Sequence, residues 1–403
     1  VAAADTLVSR QAITGSGRLL PMTAGRSRGT GTIDGPWAVV IEDGLVSAVR
    51  VGPLRPGDPE DVVDVGMALC TPGLVDPHTH LCFAGDRSDE AAARSRGERY
   101  TGGGILRTVA ATNAATDEEL VRLTRGRLRR ALHSGTTTIE VKSGYGLVAE
   151  QELRLLRLIG IAAGPLPLRL VRTYLGAHAV PAGSSPAAHA QAVIHALPRV
   201  AAEADQIDVF CEPTLFDVSM TRAILEAGRR HGLGLRLHAD QLRRSGAAVL
   251  GSELGVLSVD HLEQATAADA RALADTDTVA TILPGPTMLL RGGRPPIEAL
   301  LASGALVAIG SDANAGTFGE PSMSLAIGLA VMLGLSVEDA LWAATVGAAR
   351  SLGLSDRVGS ITVGKAADIV AWDVHHEGAF AMRPGAVIPS AMWIAGVRVG
   401  MDR

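Results

Sequence analysis

The sequence predicts an α/β protein: a closed (β/α)8 barrel of the TIM type, carrying a small β-sandwich lobe assembled from both chain ends. Two observations carry this prediction. Between residues 73 and 312, eight short apolar, β-branched runs alternate with segments of helical periodicity. Strand-like patterns then stand on both sides of that middle. A chain of 403 residues with 47% apolar and 20% charged residues is large enough for one such barrel and an accessory lobe.

In chain order, residues 1–35 are rich in Gly, Ser, Thr and Arg and predict little beyond a short strand. "PWAVVIEDGLVSAVR" (36–50) reads as a β-hairpin with Glu-Asp-Gly at its turn. The eight barrel runs are "GLVDPH" (73–78), "TTTIEVK" (136–142), "LRLVRTYLGA" (168–177), "IDVFCE" (207–212), "LGLRLH" (233–238), "VLSVDH" (256–261), "VATILP" (279–284) and "ALVAIGSD" (305–312). "AEQELRLLRLIGIAA" (149–163) and "SMTRAILEAGRRHG" (219–232) exemplify the helices between them. β patterning returns in "VGSITVGKAADIVAWDV" (358–374) and "AMWIAGVRVG" (391–400). The expected division is 1–70 and 356–403 for the lobe and 71–355 for the barrel. An open doubly wound sheet is the structural rival.

The formal net charge of −5, with no Lys/Arg-rich block, argues against nucleic acid as the main partner. Three cysteines without metal-site spacing (Cys70, Cys82, Cys211) favour a reducing, cytoplasmic setting. The longest apolar run, "LAIGLAVMLGL" (325–335), is too short to cross a bilayer, and no secretory pattern opens the chain. The expectation is a soluble cytoplasmic protein without membrane partners.

Polar residues end the barrel runs, where such folds carry their chemistry. The first run ends in His78 and His80, whose i, i+2 spacing points both imidazoles to one side of a strand. His178 ends the third run, Glu212 the fourth, His238 the fifth, His261 the sixth and Asp312 the eighth. Three imidazoles and a carboxylate suit Zn²⁺ or Fe with a position left for water. Such an ion lowers the pKa of its water toward neutrality. A neighbouring Asp can then accept a proton, while a His polarises the substrate or assists the leaving group. Hydrolysis at an amide-like or amidine-like carbon follows.

"PGLVDPHTH" together with "SDAN" at the last strand resembles the amidohydrolase superfamily, whose members share a metal-dependent hydrolase barrel. "GDRSDE", "GERYTGGGILRTVAAT", "IEVKSGYGL", "TYLGAHAVP", "LHADQL", "SVDHLE", "TILPG", "SDANAGT" and "VGKAADIVAWD" narrow the resemblance to the imidazolonepropionase family, over nearly everything after residue 36. The resemblance implies hydrolysis of a ring C–N bond of 4-imidazolone-5-propanoate to N-formimidoyl-L-glutamate in histidine degradation. It implies one Zn²⁺ or Fe ion per chain on His78, His80, His238 and Asp312, and a homodimer. It places Arg87, Tyr100, Tyr145, His178, Gln241, Asn314, Gly316 and Thr317 around the substrate. His261, Asp312 and Gln241 are then the catalytic candidates. Arg87 offers a planar fork for the propionate carboxylate.

Two departures from the family pattern stand out. Gln241 occupies a position where some members have a Glu with an acid/base role, and an amide cannot take a proton, so the role passes to Asp312 or His261. The loop "TDCNPG" of the family reads "SDANAG" here (311–316), without its proline. Lys142 lies on the second run rather than the fourth, where bridging lysines of two-metal relatives belong, which favours a single ion. "GGG" (102–104) lacks the Lys-Ser/Thr of a phosphate loop. The alternatives are a hydrolase or deaminase acting on another small cyclic amide or amidine, and a non-catalytic metal-binding paralogue.

Overall fold

The computed structural model describes residues 10–22, 28–98 and 104–400. Near both termini, alternation of apolar residues gives the lobe its strands. These are β1 (Arg10–Gly15), β2 (Trp37–Glu42), β3 (Leu45–Val51), β4 (Val62–Asp64) and β5 (Cys70–Pro72). The predicted hairpin joins β2 to β3 through Asp43 and Gly44, both at positive φ (51° and 76°). That left-handed pair matches the twist of the flanking strands.

The barrel strands follow as β6 (Leu74–Asp76), β7 (Thr136–Lys142), β8 (Arg169–Ala177), β9 (Gln206–Cys211), β10 (Gly234–Ala239), β11 (Ser258–His261), β12 (Val279–Ile282) and β13 (Val307–Ile309). Each of the eight predicted runs overlaps one of them, with β9 starting one residue before its run and β10 ending one residue after. They form one sheet in the order β13-β12-β11-β10-β9-β8-β7-β6, parallel throughout. Every residue of β7 is buried, as expected where one strand face meets the barrel interior and the other the helices. The helix Asp117–His133 shows how the outer ring is built. Thr116 caps it by accepting from the Glu119 amide, and Leu120, Thr124, Leu128 and Ala131 form its buried stripe.

The sheet curls far enough for its two ends to meet beyond β6 and β13. Thr79 bridges Ala313, the His80 amide donates to the Ala313 carbonyl (2.9 Å), and the Asp312 amide donates to the His78 carbonyl (3.0 Å). Asp76 reinforces this seam by accepting from both the amide and the hydroxyl of Ser311. An open doubly wound sheet is thereby excluded.

After the barrel come β14 (Ile369–Trp372), β15 (Pro389–Ile394) and β16 (Val397–Arg398). β14–β16 with β5 form one four-stranded sheet, and β1–β4 form another. One apolar cluster joins the two, drawing Ile13, Trp37, Val39 and Ile41 from one and Cys70, Ile369, Ala371 and Trp393 from the other. Both chain ends therefore bury a common core. No helix among the described residues is long and apolar enough to cross a membrane.

Candidate functional site

His78 and His80 leave β6 on the same side, as their spacing predicts, and their Nε2 atoms lie 3.2 Å apart. The His238 Nε2, at the end of β10, comes within 3.4 Å of His80 Nε2. Asp312, just past β13, brings Oδ1 to 3.7 Å from His78 Nε2 and 3.5 Å from His80 Nε2. Ligands at ~2.0–2.1 Å around one four- or five-coordinate ion lie about 3–3.5 Å from one another. The donor spacing thus fits a single ion between three imidazoles and one carboxylate.

The other side of these rings supports the fit. His78 Nδ1 donates to Asp260 (2.6 Å), and His238 Nδ1 donates to Asp208 (3.0 Å), so both rings present a bare Nε2 to the centre. Arg236 donates to Asp260 (3.0 Å), and Lys142 pairs with both Asp208 (2.8 Å) and Glu140 (2.9 Å). Glu140 in turn accepts from the Thr79 amide between the two histidines. All five of these charged side chains are fully buried. Burial alone would raise Asp208, but the His238 ring and the Lys142 ammonium hold it well below the usual carboxylate range. Burial also pulls His78, His80 and His238 below the ordinary imidazole value, which favours the neutral, ligating form. Asp312 is pushed up to about 7, chiefly by burial.

Lys142 is therefore a structural cation for two carboxylates. Replacing it with methionine leaves Asp208 and Glu140 buried against one another without their shared partner. We expect Lys142→Met to destabilise the fold by about 3–5 kcal/mol, measured by denaturant unfolding. A change below ~1 kcal/mol would mean that the cluster tolerates its unbalanced charge.

Above the four donors lies a cleft lined by His80, Arg87, Tyr145, His178, His238, Gln241, His261, Asp312, Asn314 and Thr317, with Ile105 and Phe210 adding apolar wall. Ten residues singled out from the sequence thus share one cavity. Tyr100 lies outside the described residues. His178 stacks on His80 (5.2 Å between ring centres) and donates Nδ1–H to the Gly144 carbonyl, leaving Nε2 as an acceptor. Burial lowers its pKa to about 3, so the ring is neutral. Tyr145 packs its ring against His178, His80 and Phe83. Glu212 stands off the centre; its carboxylate accepts from the Leu242 and Arg243 amides and so fixes the turn that carries Gln241.

Arg87 is 4% exposed and grips Glu90 through Nε and Nη2 (3.0 and 2.7 Å). Its guanidinium lies against Gly104 and Gly316, and a Cβ at either glycine would collide with it. Gly316 is therefore a spacer that lets the arginine reach the cleft, and Gly104 serves likewise. The amide of Asn314 is spent on its own loop. It donates to the Asp312 carbonyl and Oδ1 and to Thr317 Oγ1, and it accepts from the Gly316 and Thr317 amides. These bonds tie down a loop that lacks the family's proline.

His261 brings Nε2 to 4.0 Å from Asp312 Oδ2 and Nδ1 to 3.6 Å from Glu263. Asp260, the residue before it, binds His78 instead. Burial pulls the His261 ring down most strongly, yet Glu263, Asp312 and Asp260 together leave it above the ordinary value. His261, Leu262, Asp240 and Asp312 all adopt positive φ (83°, 68°, 49° and 47°). Such non-glycine residues cost about 1–3 kcal/mol each and cluster where geometry serves function. Here all four sit at the C-terminal rim of the barrel.

A family model described as the amidohydrolase family matches residues 182–399. The imidazolonepropionase of Salinispora arenicola (strain CNS-205) is 47% identical over 356 residues, 86% of this chain and 88% of that protein. The imidazolonepropionase of Nocardia farcinica (strain IFM 10152) is 41% identical over 389 residues, 96% of this chain and 97% of that one. Among solved structures, an adenosine deaminase from Xanthomonas campestris with bound zinc has a TM-score of 0.72 at 19% identity, covering 97% of this chain and 94% of its own. At that identity the likeness concerns the fold.

Proposed function

The chain belongs to the imidazolonepropionase family of the amidohydrolases, and from that premise we propose that it hydrolyses 4-imidazolone-5-propanoate. Water adds to the ring carbonyl carbon, the adjacent C–N bond breaks, and N-formimidoyl-L-glutamate leaves, a step of histidine degradation. The observation that carries this is a buried guanidinium in the same cleft as three converging imidazoles and a carboxylate. A small cyclic amide bearing a carboxylate is the molecule those two features suit.

His78, His80, His238 and Asp312 would hold one Zn²⁺ or Fe ion, which when bound acidifies water and polarises a carbonyl. The chain's own groups do the rest. Asp312 accepts the proton lost by the attacking water. His261, across from it, supports the developing oxyanion or protonates the departing ring nitrogen. The His178 acceptor suits a ring N–H, and Gln241 orients without moving a proton. Glu90 sets the plane of Arg87, whose fork takes the propionate. The three buried, free cysteines support a cytoplasmic setting, and the family resemblance supports a homodimer.

Turnover of imidazolone propionate by metal-loaded protein, with Arg87→Lys beside it, tests this function. A point charge replaces a bidentate fork, so KM should rise by the equivalent of ~1–3 kcal/mol with kcat little changed. An analogue lacking the carboxylate should be indifferent to the substitution. Equal losses on both substrates would make Arg87 a structural residue, and absence of turnover in the parent would overturn the assignment.

A further inference from the structure

Two buried polar atoms without hydrogen-bond partners among the described residues face one another, His261 Nδ1 and Glu263 Oε2. They lie 3.6 Å apart on side chains that are 2% and 5% exposed. An unpaired buried donor or acceptor costs about 1–3 kcal/mol, and a small torsion of either side chain joins these two. The other Glu263 oxygen is already fixed, since Thr287 Oγ1 donates to Oε1 at 2.6 Å. The left-handed residues His261 and Leu262 curl the chain here, and the Gln264 amide closes the turn on the Asp240 carbonyl (2.8 Å). Other carboxylates nearby are engaged elsewhere. Asp260 takes His78, Arg236 and Ser258, and Glu212 takes backbone amides.

We propose that Glu263 is a positioning residue for the hydrolysis, accepting the Nδ1–H of His261 and so fixing the ring with a bare Nε2 toward Asp312 and the cleft. The proton exchanged during the reaction then arrives and leaves at Nε2, while Nδ1 keeps its own. A carboxylate behind the ring stabilises the imidazolium that forms when Nε2 takes up the proton it later gives to the departing ring nitrogen, and the wrong tautomer could not take it up there. This rests on the role given to His261 above.

The test compares Glu263→Ala, Glu263→Gln and His261→Asn, each loaded with metal, by kcat, KM, metal content and thermal unfolding. Histidine ¹⁵N spectra add the tautomer of His261, assigned by the signals absent from His261→Asn. Glu263→Ala should lower kcat by about 10²-fold with KM and metal content unchanged, and its His261 should populate both tautomers. Glu263→Gln retains an acceptor oxygen and should lose only about 10-fold while keeping the Nδ1–H form. Parental kcat in Glu263→Ala beside a slow His261→Asn would overturn the proposal alone, as would an unchanged tautomer in Glu263→Ala. Parental kcat in His261→Asn would instead overturn the role of His261 itself. Should Glu263→Ala fail to fold, the isosteric Glu263→Gln decides by its rate: a parental kcat there overturns the proposal.

Discussion

Replacing His238 with alanine is expected to strip the protein of its metal and nearly abolish turnover, and His78→Ala should do the same. Zinc sites of four protein ligands bind with ~10–16 kcal/mol in all. One ligand of four therefore carries about 3 kcal/mol, a factor on the order of 10² in metal affinity. The effect exceeds that of an ordinary cavity because Asp208, already buried and held by Lys142, would face empty space where the His238 N–H had been. Metal analysis of purified parent and variants, with activity before and after chelation, reads the outcome. About one ion per chain is expected in the parent. Full metal content with full turnover in both variants would remove these residues from the metal centre.

The second large effect should come from His261. Its Nε2 is 4.0 Å from Asp312 and its ring lines the cleft, but the proposed ligand set of His78, His80, His238 and Asp312 does not include it. His261→Asn should therefore retain metal while losing on the order of 10²–10⁴ in kcat, the usual size of an acid–base or oxyanion contribution. Gln241 cannot accept a proton in its place, and the His178 ring, its pKa lowered to about 3 by burial, is too weak a base to take over. The measurement is kcat of the metal-replete variant across pH 6–9, a range of about three units around neutrality. A profile indistinguishable from the parent would make His261 a packed core ring.

Much of this architecture is legible in the sequence alone. Strands buried on both faces must be apolar almost throughout, so "VATI" and "LVD" stood out as runs without helical spacing. The Asp-Gly turn marked the first lobe hairpin for the same reason it forms one. His78 and His80 were readable because a strand's period of two puts them together. The support behind the ligands was harder to see. Asp260 lies 182 residues from His78, and nothing local pairs them. A signal did exist: Glu140, Lys142, Asp208, Arg236 and Asp260 are charges inside runs otherwise apolar, and a charge buried in a barrel strand must have a partner. Gly104 reads with its neighbours as a poor phosphate loop, and its actual part, making room for Arg87, depends on a contact that no local pattern announces. Glu90 sat within the quoted "GDRSDE" motif, three residues from the arginine it holds.

The seam that closes the barrel also bears on how the molecule assembles. Asp76 and Ser311 meet across 235 residues of chain, so this pairing asks for nearly all the intervening strands to be in place first. His78 and His80 stand on one lip of that seam and Asp312 on the other. On the proposed ligand set, an ion held by all three would act as a clasp, and its affinity for the closed barrel over the open chain would add to the cohesion of the whole fold. Chelation would then loosen the barrel seam as well as stop turnover.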